Sequence, residues 1–136
     1  MNEKVRASFA RQSLMASFGA ELIKAGEGRV VIAAPITPDV LQQQGAAHAG
    51  LTFALGDTAA GYSALTLMPG EAEVMTAEMR IHLLRPAFGD RLLAEGRVVK
   101  PGRRLFVVAA DVFAETGGER VHVAMLTGTM VPVDAG

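Results

Sequence analysis

The chain has 136 residues, which suits one domain and leaves no room for a second. Thirteen basic residues against 14 acidic ones give a net charge of −1, so no global field exists to attract nucleic acid or an anionic membrane, and any anion site must be local. The absence of cysteine excludes disulfides, thiolate zinc sites and a cysteine nucleophile.

Hydrophobic residues make up 50% of the chain, yet with six Phe, one Tyr and no Trp the core must be built from Val, Leu, Ala and Met. Residues 2–17 carry Val5, Phe9, Leu14 and Met15 among charged and small residues, the pattern of one amphipathic helix covering the periphery. This divides the chain into an N-terminal helical segment, 1–18, and a main unit, 19–136. The opening alternates charges and lacks the apolar core of a signal peptide, so a cytoplasmic location is expected. Residues 20–24 and 29–34 are β-prone runs joined by Ala25-Gly26-Glu27-Gly28 as a hairpin turn, and Pro35 and Pro38 stop the second.

A helix is expected over 49–68, ended by Pro69-Gly70. Gly50, Gly56, Ala59, Ala60 and Gly61 would weaken it in isolation but let other elements pack closely, so it reads as enclosed. Asp57 at its centre would cost about 2.5–3.5 kcal/mol in a bilayer, which favours a core helix over a membrane span. Four strands follow, over 75–83, 91–100, 104–114 and 119–131, with turns at 86–90, 101–103 and 116–118. In the first, Met75, Ala77, Met79, Ile81 and Leu83 alternate with Thr76, Glu78, Arg80 and His82, predicting one buried and one polar face. The set is α+β, a curved antiparallel sheet wrapped around one long central helix, with an N-terminal helix.

The run Gln42-Gln43-Gln44-Gly45-Ala46-Ala47-His48-Ala49-Gly50 leads directly into that helix, whose otherwise apolar first half holds Asp57. A carboxylate among Leu, Ala, Gly, Phe and Thr is costly to bury; it is either satisfied by Thr58, a backbone amide or a partner, or kept for chemistry. Asp57 lies nine residues after His48, a rotation of about 900° and a rise of roughly 13 Å, so the two point to opposite faces. Two copies related by a twofold axis would bring the helix start of one to the carboxylate of the other, which predicts a homodimer with shared sites.

The order of elements and this motif resemble the hotdog-fold acyl-CoA thioesterases of the phenylacetate-degradation type, over about residues 19–132. In that family an amide residue precedes a glycine, a His-Gly-Gly opens the central helix, and an acid follows within it. The matching positions are Gln42, Gly45, His48-Ala49-Gly50 and Asp57, with Thr76 for a small hydroxyl residue on the next strand. Ala49 replaces the first glycine of the pair, and Gln42 stands for the usual Asn, with Gln43 as the alternative after a one-residue slip.

The resemblance implies hydrolysis of a small or medium, even aromatic, acyl-CoA to acid and CoA, without metal or redox cofactor. Free N–H groups at Ala49 and Gly50, in the first helical turn, suit a thioester oxyanion; Gly50 could equally serve close packing. Asp57 would act as general base or nucleophile. His48 would shape the loop, bond a carbonyl or line the entrance, roles that are commoner for a histidine before a helix than direct proton transfer. Gln42 would hold the carbonyl or water, and Thr76 would orient water or Asp57, against plain loop and strand-surface roles for both.

CoA carries phosphates, for which Lys100, Arg103 and Arg104 around the Pro-Gly turn, and Arg85 beside Pro86, are candidates; solvated surface is the simpler reading of each. The three histidines, His48, His82 and His122, lack ligand spacing. The family also implies pairing of dimers into tetramers. An acyl-thioester dehydratase and a non-catalytic acyl-CoA or small-acid binding module are the rival readings.

Overall fold

The computed structural model describes residues 1–134; the last two residues of the 19–136 unit lie outside that range. Two short helices open the chain, α1 (Glu3–Ala10) and α2 (Ser13–Ser17). The single N-terminal helix expected from periodicity is therefore broken. Gln12 is extended (φ −83°, ψ 101°), and its side chain turns inward to Tyr62 instead of continuing the helical face. The strands β1 (Glu21–Gly26) and β2 (Arg29–Pro35) form the expected hairpin, but its turn is Glu27-Gly28 alone, because Ala25 and Gly26 pair with Val30 and Arg29 as part of β1.

The central helix α3 (Ala49–Leu65) stops short of Pro69. Thr66 ends it: its Oγ1 donates to the Ser63 carbonyl at 2.7 Å and accepts the Gly28 N–H at 2.7 Å, while Leu67 and Met68 tighten into i→i−3 bonds. The strands β3 (Glu73–Leu83), β4 (Arg91–Lys100), β5 (Phe106–Thr116) and β6 (Glu119–Val133) follow, so Arg104 lies in the β4–β5 turn and not on a strand.

All six strands form one antiparallel sheet in the order β1-β2-β4-β5-β6-β3, and α3 touches every one of them. The α+β fold read from the sequence is the fold observed. Small residues explain the close wrap. A Cβ at Gly96 of β4 would collide with the Ala59 backbone, so glycine there lets sheet and helix touch. Leu55 and Leu65 of α3 and Leu92, Val108, Val112, Leu126 and Met130 of the sheet are fully buried between them. Each such side chain contributes about 1.5–3 kcal/mol.

The face assignment of β3 needs correction. Thr76 pairs with Met130 but Glu78 with Thr129, so Ala77 is an extra residue, a β-bulge. The alternation changes phase there. Val74 and then Met79 and Ile81 pack on the core, Met75 is 59% exposed, and Thr76 faces α3. Strict alternation had placed Met75 with Met79 and Ile81, and Thr76 on the polar side.

Candidate active site

His48 is the N-cap of α3, and its Nδ1 accepts the Gly50 N–H at 2.8 Å. In this geometry a neutral ring carries its proton on Nε2. The loop ahead is tied down: His48 N–H donates to the Val40 carbonyl at 2.8 Å, and Gln42 and Gly45 close a turn in which Gly45 takes φ +89°, a value suited to glycine. The Gln42 side-chain carbonyl accepts the backbone N–H groups of Gln44 and Ala46. Its NH2 faces no acceptor among the described residues.

Two cavities adjoin this loop: one of about 330 Å³ lined by Leu41, His48, Gly50 and Leu51, and one of about 600 Å³ on the Ala49 side. Gln42, Gln44, Ala49, Thr52, Arg85 and Phe88 line the larger. The N–H of Ala49, an exposed residue, has no hydrogen-bond acceptor among the described residues, whereas that of Gly50 is engaged by His48. Gln43 is exposed and does not line the larger cavity; Gln44, two residues after Gln42 in the same run, does. Nothing in the sequence distinguishes Gln44, because which member of a glutamine run turns inward depends on the Gln42–Gly45 turn.

Asp57 lies in a different cleft, of about 300 Å³, with Phe53, Thr58, Gly61, Tyr62 and Thr76. Thr76 Oγ1 donates to Asp57 Oδ1 at 2.7 Å, which leaves Oδ2 open. Burial pushes the Asp57 carboxyl above its ordinary value, and the Thr76 hydrogen bond partly offsets this. The β3 bulge is what turns Thr76 toward it.

The Ala49 and Asp57 clefts share no lining residue, whereas the cleft lined by His48 and Gly50 shares Leu14 and Ala54 with that of Asp57. Ala49 and Asp57 are eight residues apart, about 12 Å along the axis. Gly50 requires a refinement of the opposed-face argument: seven residues separate it from Asp57, so it stands on nearly the same face, about 10.5 Å away. What keeps the helix start from Asp57 within one chain is axial distance in both cases.

The basic candidates also separate. Lys100, Arg103 and Arg104 are exposed and take part in no ion pair among the described residues. Their turn leads into Phe106, which pairs with Met130, the residue that also pairs with Thr76. Arg85 instead rims the Ala49 cavity, its Nη1 donating to the His122 carbonyl at 2.9 Å. Near it Leu83 pairs with Ala124, six β6 residues from Met130, so about 20 Å of strand separates the two groups.

The profile of the Thioesterase superfamily matches residues 44–121, a span running from the glutamine loop through α3 into β6. This chain belongs to that superfamily. It is 29% identical over 111 residues to the acyl-coenzyme A thioesterase PaaI of Escherichia coli, covering 81% of this chain and 77% of that one. A thioesterase family protein from Silicibacter pomeroyi superposes with a TM-score of 0.95 at 41% identity over 98% of both chains. A Bacillus halodurans protein solved with CoA gives a TM-score of 0.78 at 29% identity, over 96% of this chain and 84% of that one. The family resemblance read from the residues is thereby borne out. No helix of the described residues is long and apolar enough to cross a membrane.

Proposed function

We propose that this protein hydrolyses acyl-CoA thioesters to free acid and CoA at sites shared between two copies of the chain. The observation that carries the reading is Asp57: a half-buried carboxylate in a cleft, raised in pKa, bonded by Thr76 at one oxygen and open at the other, within a thioesterase-superfamily chain. The CoA bound to the Bacillus halodurans relative supports the thiol half of the substrate.

As general base, Asp57 takes a proton from water while the water oxygen bonds to the thioester carbon. The carbonyl oxygen becomes an oxyanion, which the Ala49 N–H of the other copy stabilises, joined by that of Gly50 when the His48 ring turns away. Collapse breaks the C–S bond, and the thiolate leaves with the proton from Asp57. As nucleophile, Asp57 would itself bond to the carbon, expel the thiolate and form an anhydride; water then adds to the Asp57 carbonyl carbon, breaks its bond to the bridging oxygen to release the acid, and gives its proton to the thiolate. Heavy oxygen from labelled water would then enter Asp57 in a single turnover only by the second route.

In this reading the NH2 of Gln42 holds the carbonyl, and Thr76 positions Asp57. Lys100, Arg103 and Arg104 next to the acid half-site, and Arg85 next to the amide half-site, supply cations for the CoA phosphates. A homodimer, and a tetramer made of two, is the assembly this requires or allows, with no resident metal or redox cofactor and a cytoplasmic setting.

Mixed dimers test the reading. Asp57→Asn removes the acid and Ala49→Pro removes the amide donor, so each homodimer should be inactive. In an equal mixture half the dimers are hybrids with one intact site of two, restoring about one quarter of wild-type activity if sites are shared. No recovery in verified hybrids would reject shared sites.

A further inference from the structure

The Asp57 cleft continues past the carboxylate toward the N-terminal helices, and its far wall is polar. Along α3 the lining steps from Asp57 by one turn to Gly61 and Tyr62, with Val74 and Met130 beside it. At the end, Gln12 Nε2 donates to Tyr62 Oη over 2.9 Å. Tyr62 is 3% exposed, and its oxygen lies 2.9 Å from Ser8 Oγ. The Ser8 hydroxyl is 3.2 Å from each oxygen of Glu73, and Arg11 holds Glu73 by an ion pair at 2.6 Å.

The polarity of this chain of bonds follows from its last member. An ionised carboxylate only accepts, so Ser8 donates to Glu73, Tyr62 donates to Ser8, and Gln12 donates to Tyr62. The wall is thus pinned from outside by the Arg11–Glu73 pair. The break between α1 and α2 aims Gln12 at it, since a helical Gln12 would follow the turn of α1.

We infer that the cleft between Asp57 and the Gln12–Tyr62 pair is the acyl pocket and that this pair is its stop, making the enzyme selective for short acyl groups. The inference rests on the thioesterase reading above and adds to it the class of acyl group and the residue that sets it. Tyr62 stands five residues beyond Asp57, about 7.5 Å of rise along α3, which an extended chain at roughly 1.25 Å per carbon matches with about six carbons. The cleft, of about 300 Å³, also has room for one aromatic ring. A longer chain running past this end would part Gln12 from Tyr62, and the buried phenol oxygen would keep its bond to Ser8 but lose the donor it accepts from.

The test is kcat/KM across saturated acyl-CoAs from butanoyl to dodecanoyl, for wild type, Gln12→Ala and Gln12→Trp, with thermal melting to verify folding. Wild type should fall at least about tenfold beyond roughly six carbons. Gln12→Ala should move the fall to chains about two carbons longer, and Gln12→Trp to shorter ones. A wild-type profile kept by either folded variant overturns the stop, and so does a wild-type profile flat through dodecanoyl-CoA, which needs no variant. Hydrolysis by wild type of none of the panel, nor of benzoyl-CoA assayed beside it as a one-ring substrate, overturns the thioesterase reading itself, a result distinct from the other two.

Discussion

Proline at position 49 deletes one N–H and little else. Ala49 is the first residue of α3, where proline's missing N–H removes no intrahelical bond, and His48 before it is extended at φ −61°, ψ 139°, as a residue preceding proline must be. The side chain is exposed and the amide has no acceptor among the described residues, so the fold loses no contact. Reduced freedom in the unfolded chain should add about 0.4–1 kcal/mol of stability. Loss of one oxyanion donor, by contrast, should lower kcat about 10²–10³-fold, or roughly 2.7–4 kcal/mol, with KM little changed because the donor acts most strongly in the transition state. Thiol release at saturating acyl-CoA, paired with a melting curve, separates the two effects. Gly50→Ala is the poorer probe, since its Cβ would sit 3.0 Å from His48 Nδ1 and disturb the cap. Wild-type kcat in a normally folded Ala49→Pro protein would refute the oxyanion assignment.

Asp57→Asn should reduce kcat by about 10²–10⁴-fold while preserving the bond from Thr76. It should also melt no lower than wild type at neutral pH. Burial raises the folded-state pKa of Asp57, so its contribution to stability is present at low pH and lost as pH rises through that pKa; Asn removes the cost of the buried charge. A clear drop in melting temperature at neutral pH would show the carboxylate to be structural. The acidic limb of kcat/KM should lie above the ordinary carboxylate range, because a base works only when deprotonated. Thr76→Ala should move that limb further up, since the Thr76 bond is what offsets the rise; a limb unmoved in rate profiles would detach Thr76 from Asp57. Arg103→Ala with Arg104→Ala should raise KM for acyl-CoA about tenfold, leaving acyl-pantetheine, which lacks the nucleotide phosphates, unaffected. An equal rise for both substrates would exclude phosphate binding by this turn.

Much of this architecture was legible because its signals are local. The small residues of α3 and the glycines of the turns each point to one conformation. Asp57 stood out because a carboxylate in an apolar helix breaks the local pattern. What periodicity did not reveal depends on pairing between distant segments. Ala77 reads as a buried alternating position until β6 is laid beside β3, and only then does the extra residue appear. Gln12 reads as helical until Tyr62, 50 residues away, supplies its bond. The Gly50 amide reads as free until His48 folds over the helix start.

These three departures lie where the site is assembled, and each redirects a polar group at a cost that regular structure would avoid. The bulge gives up regular ladder pairing and turns Thr76 to Asp57; the helix break gives up a turn and turns Gln12 to Tyr62. Continuing β3 without the bulge would return Thr76 to the outer face and leave Asp57 without its only side-chain partner among the described residues. The acid at the centre of α3 thus depends on an irregularity in the edge strand as much as on the helix that carries it.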